Sequence, residues 1–117
     1  MRNFRKYDIW IDSMSFVTDV YSATNLFPTC EKFGLCNQLQ RAAVSIASNI
    51  AEGSSRSSEK EFAHFLQISL GSTFEVETQL IIAYNLKYIL KEKLDILLQN
   101  LQSIEKRLHE MIKRLTH

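Results

Sequence analysis

The 117-residue sequence carries 14 Lys+Arg against 13 Asp+Glu, a net charge of +1, with 45% hydrophobic and 23% charged residues. This is the length of one domain and the composition of a chain that buries a core, which excludes a second domain, a disordered polar tract and a coat of one charge sign. Three Gly and one Pro are too few for an all-β fold, which needs a turn breaker about every 8 to 12 residues.

In chain order, the first periodic segment runs from about residue 7 to 25. It places Ile9, Trp10, Ser13, Phe16, Val17, Val20, Tyr21 and Thr24 on one side at helical spacing, opposite Asp8, Asp12, Ser15, Asp19 and Ser22. Pro28 can open a short turn through Phe33, and Gly34 ends it. A second helix is predicted over 37–53, with Leu39, Ala43, Ile46 and Ile50 on one side and Ala42, Val44, Ala47 and Ala51 beside them. Its polar stripe is only about 100° wide, narrower than one buried side requires. The expectation is that helix two has more apolar circumference than its own chain can cover, so that copies of the chain associate.

Gly53 to Ser57 breaks the pattern, and Ser58 with Glu61 has the spacing of a capping box that starts a third helix. That helix is predicted over 58–88, with Phe62, Phe65, Leu66, Ser69, Thr73, Val76, Leu80, Ala83 and Tyr84 on one stripe. Gly71 in its middle costs about 1 kcal/mol relative to Ala and suggests a close backbone approach or a slight bend. A fourth helix over 92–115 repeats Leu94, Leu97, Leu101, Ile104, Leu108, Met111 and Leu115 at steps of three and four. Short connections make consecutive helices antiparallel neighbours, so the expected fold is a single all-α domain, an antiparallel up-down four-helix bundle.

No apolar run approaches the ~18 residues of a membrane span, and the opening residues are charged. A cytoplasmic protein with no membrane partner is expected. Cys30 and Cys36 form no Cys-x-x-Cys pair, and His64 and His109 have no second ligand at i+3 or i+4. Free reduced thiols, no metal site and no cofactor follow as expectations.

The run from Gln38 to Gly53, containing Arg41-Ala42-Ala43-Val44-Ser45-Ile46-Ala47-Ser48-Asn49-Ile50-Ala51-Glu52-Gly53, closely resembles the signature of the bacterial four-helix-bundle proteins encoded in 23S rRNA intervening sequences. The likeness continues through Arg56, Glu61-Phe62, Phe65-Leu66, Gly71-Ser72 and Glu75 to Leu80, and more weakly covers residues 7–115. The resemblance implies a left-handed up-down bundle that assembles as a cyclic homopentamer. Most members have no assigned biochemical function. A related branch, the accessory proteins of diversity-generating retroelements, binds nucleic acid and a reverse transcriptase through a basic surface. This chain carries Ala47 where many relatives have Pro, and a net charge of +1 where that branch is markedly basic.

Three sets of residues could form a working surface. Arg41, Ser45, Asn49 and Glu52 form the polar stripe of helix two, which with Gly71 and Glu75 either lines a channel or partner contact or hydrogen-bonds between helices and subunits. Arg56, in the Ser-rich turn before a helix N-terminus, could meet a phosphate, or the turn could be an ordinary cap. Residues 87–117 hold seven basic side chains against four acidic, and Lys106, Arg107, Lys113 and Arg114 fall on one side of the last helix opposite its Leu stripe. An oligomer would repeat that stripe and strengthen its field toward RNA or DNA, whereas a solvated face partly neutralised by Glu110 needs no partner. No catalytic motif is present, and a hydrolase built on Glu52 and Glu75 would need a pocket between helices. The expected function is that of a non-catalytic oligomeric scaffold or nucleic-acid-associated protein; the alternative is an adaptor that binds protein and no nucleic acid.

Overall fold

A computed structural model describes residues 2–117, apart from the side chain of Cys30. Four helices account for most of the chain: α1 (Asp8–Thr24), α2 (Leu35–Ser54), α3 (Glu59–Asn85) and α4 (Lys91–Leu115), with single 3-10 turns at Phe4–Lys6 and Thr29–Glu31. Each helix packs against the next, and α1 closes the bundle against α4, giving a rod of 43 × 23 × 20 Å. Leu39, Ile46 and Ile50 from α2, Phe62, Leu66 and Leu80 from α3, and Leu97, Leu101, Ile104 and Leu108 from α4 are completely enclosed with Phe16 and Val20 of α1. These are the positions the 3.6-residue period assigns to one side of each helix.

Helix ends follow local chemistry. Ser58 Oγ accepts the Glu61 N–H at 3.1 Å and starts α3. The second half of the expected capping box is absent, since Glu61 Oε1 accepts from Ser58 Oγ at 3.4 Å instead of reaching the Ser58 backbone. At the start of α2, two residues earlier than expected, the cap comes from upstream: Glu31 Oε1 accepts the Leu35 N–H at 3.2 Å. Helix α3 stops at Asn85 because Lys87 turns left-handed at φ 67°. There the Lys87 N–H donates to Tyr84 O and the Tyr88 N–H to Ala83 O, both at 2.9 Å, a Schellman closure without its usual glycine.

The structure corrects the reading of helix two. Ala42, Ala43, Ala47, Ile46 and Ile50 are all buried within the single chain, between α1 and α3, and Val44 is the exposed apolar residue of α2. Small side chains let neighbouring helices come close enough to cover this helix from two sides. Ser69 Oγ accordingly reaches across from α3 to Ile46 O at 2.8 Å. The close-approach glycine is Gly53, where an added Cβ would lie 2.7 Å from Phe65 Cβ and 3.0 Å from Phe62 Cδ1. Gly71 has nothing within 4 Å of such a Cβ, so no close neighbour in this chain accounts for it.

Candidate functional site: a basic groove and a polar seam

The polar stripe of α2 resolves into a ladder against α3. Ser45 Oγ and Ser72 Oγ are 2.8 Å apart, Asn49 Nδ2 donates to Ser45 O at 2.8 Å and to its Oγ at 2.9 Å, and Gln79 Nε2 donates to Gln38 Oε1 at 3.4 Å. Arg41 and Glu75 line the same shallow groove beside this ladder. Glu52, at the far end of α2, holds Arg56 at 3.0 Å. Eleven residues, about 16 Å of helix, separate Glu52 from Arg41, so Glu52 and Glu75 do not form a carboxylate pair.

Arg56 is engaged by its own turn: besides Glu52, its guanidinium lies 4.5 Å from the Phe65 ring centroid, and its carbonyl accepts from Arg2 Nη1 at 2.6 Å. Arg2 also covers the Phe62 ring at 4.8 Å, a role its place in the charged opening residues did not signal. Of the four α4 cations, Lys106, Lys113 and Arg114 are exposed. Arg107 is half-buried and ties α4 to α1 through Asp12 at 2.8 Å, while its Nε donates to Ser103 O at 3.2 Å. The stripe therefore splits, three cations facing outward and one serving packing.

What the stripe loses it regains from the N-terminus. Lys6, Tyr7, Asp8 and Ile9 share a groove of about 440 Å³ with Arg107, Glu110, Met111 and Arg114. Lys6 is thus brought beside Arg114 by the antiparallel packing of α1 on α4, a pairing of residues more than a hundred positions apart. Asp8 and Glu110 moderate the charge.

Two further features concern exposure and burial. Ile68, Gly71, Glu75, Thr78 and Ile82 recur at steps of three and four along the outward side of α3, flanked by Phe74 and Ile81, and all are exposed. This face of α3 is apolar at Ile68, Phe74, Ile81 and Ile82, so the unpartnered apolar surface lies on α3, where the sequence assigned it to α2. Cys36 is a free, buried thiol whose Sγ donates to Thr24 O at 3.4 Å, and burial, then the nearby Glu31 charge, push its pKa up. Cys30 lies outside the described side chains. Among the described residues, no cluster of His, Cys, Asp and Glu could hold a metal ion, and no helix is long and apolar enough to cross a membrane.

The model of the 23S rRNA-intervening sequence protein family matches residues 5–110. The chain belongs to that family. A crystal structure of a protein of unknown function from the S23 ribosomal protein family of Bacteroides thetaiotaomicron is similar to it, at 26% identity and a TM-score of 0.81, over 90% of this chain and 98% of that one. A comparison with curated proteins found no match. The fold is thus shared with the Bacteroides thetaiotaomicron protein, and nothing in either similarity points to catalysis.

Proposed function

We propose that this family member is a non-catalytic, self-associating helical scaffold that contacts RNA or DNA through the groove formed by Lys6, Arg114 and the neighbouring Lys113. The observation that carries this reading is the convergence of the N-terminal Lys6 with Arg114 in one groove, which brings cations from both chain ends together on a molecule of net charge +1. Lys106 extends the exposed basic side of α4, whereas Arg56 and Arg107 hold the bundle together. Self-association, as a cyclic pentamer by family resemblance, is supported by the apolar outer face of α3, where Gly71 leaves room for another copy's backbone. A free buried thiol fits a reducing cytoplasm.

Fluorescence anisotropy with labelled RNA and duplex DNA at several salt concentrations tests the contact. Phosphate binding makes log affinity fall linearly with log salt, with a slope of about 0.9 per duplex phosphate neutralised. Lys6→Gln with Lys113→Gln and Arg114→Gln should flatten that slope. Absent or salt-independent binding would favour the protein-binding adaptor.

A further inference from the structure

Two polar rungs join α2 to α3, one from Gln38 to Gln79 and one from Ser45 to Ser72. Arg41 and Glu75 lie between those rungs, one on each helix, and line the same open groove. Both side chains are exposed, and neither forms an ion pair, with the other or with any described residue. Their own helices hold no group free to answer them. α2 has one other charged residue, Glu52, which holds Arg56. The remaining charges of α3 are Glu59, Lys60 and Glu61 in its first turn and Glu77, which interacts with Glu105 of α4.

Along the middle turns the rest of these outward sides is uncharged. Arg41 stands in line with Val44 and Ser48 on α2, and Glu75 in line with Ile68, Gly71 and Ile82 on α3, all of them exposed. A face of this kind marks an interaction surface, and its two charges select the occupant. Nucleic acid or an anionic lipid headgroup would meet the Glu75 carboxylate with a single arginine to offset it. A partner without charge would bury both groups unanswered, at a desolvation cost that apolar contact does not return. A second copy supplies the missing group for each, because every copy carries both at the same level of the bundle.

We propose that the outward side of α3 in one copy seats on the outward side of α2 in the next, with Glu75 of the first paired to Arg41 of the second and Ile68 and Ile82 covered between them. The inference rests on the self-association put forward above and names the charges that set its register. Because the two sides differ, the contact is head-to-tail, the kind that closes rings. Gly71, with nothing within 4 Å of where a Cβ would stand, lets the neighbouring helix come close. The basic groove between the N-terminal residues and α4 is left uncovered.

Light scattering of the full chain over a range of concentrations tests it by reading the assembled mass. Arg41→Glu sets carboxylate against carboxylate and should raise the concentration at which the assembly dissociates about tenfold or more, with helical content by circular dichroism unchanged. Glu75→Arg should do the same. Arg41→Glu with Glu75→Arg in one chain should regain the wild-type mass. The two single variants mixed should associate where neither does alone, which a pair confined to one chain could not produce. A single reversal that lowers the melting temperature while leaving the mass as it was would place the pair within one chain and overturn the proposal. So would a charge-swapped chain that stays dissociated. Either result leaves self-association itself standing, since the wild-type chain still assembles, whereas a wild-type chain that scatters as a single 13.6 kDa species removes both.

Discussion

Glu105 on α4 and Glu77 on α3 form an interacting pair of carboxyl groups. Glu105 Oε1 is buried without a hydrogen-bond partner. Burial, then the hydrogen bond to Glu77 and its charge, push the Glu105 carboxyl up to about 7. The protonated group donates to Glu77; the ionised one repels it.

A pKa raised in the folded state stabilises the fold fully below the ordinary carboxylate value, and that contribution is lost as pH rises through about 7. Wild-type melting temperature should therefore fall, relative to Glu105→Gln, between about pH 5 and pH 8. The Gln variant keeps a donor and removes the charge. The gap at the alkaline end should be about 1 kcal/mol, because solvent still screens a half-buried pair. Thermal melts across that range, with parallel curves for the two proteins as the contrary result, decide it.

Lys87 holds φ 67° at the end of α3, a conformation that glycine adopts at less cost. Lys87→Gly should stabilise the chain by about 1 kcal/mol, read as a higher urea midpoint at unchanged slope. A lower midpoint would show that the lysine side chain makes a compensating contact.

The two α-helical glycines should respond oppositely to Ala. Gly53→Ala drives a methyl into Phe65 Cβ and Phe62, with no flexible side-chain end to yield, and should cost about 1 to 3 kcal/mol. Gly71→Ala meets open space and should add up to about 1 kcal/mol of helix propensity to the isolated chain. Light scattering of the Gly71 variant supplies the second readout. A more stable chain of smaller assembled mass is expected if this face of α3 joins copies.

Arg107→Gln removes the 2.8 Å pair with Asp12 and should lower stability by about 0.5 to 1 kcal/mol. Its effect on RNA affinity should be smaller than that of Lys6→Gln or Arg114→Gln, since its guanidinium is engaged with α1. Denaturation and anisotropy measured on the same three variants separate the packing role from the contact role.

Periodicity and the short connections together were enough to specify the bundle. The Leu stripe from Leu94 to Leu108 and the enclosed positions from Phe62 to Leu80 are legible because a helix repeats its faces every 3.6 residues, whatever it packs against. The Ser58 start of α3 was legible for the same local reason. Exposure was not. The sequence identified α2 as unusually apolar, yet only tertiary packing showed that Ala42, Ala43 and Ala47 are covered by α1 and α3, and that Ile68, Phe74 and Ile82 on α3 are left uncovered. The same holds for charge: Lys106, Arg107, Lys113 and Arg114 share one side of α4, but whether a cation faces solvent or a carboxylate depends on Asp12 and Lys6, supplied by the opposite end of the chain. Composition and period are properties of a segment and can be read along it, whereas burial and pairing belong to two segments at once and exist only when the chain has folded back on itself.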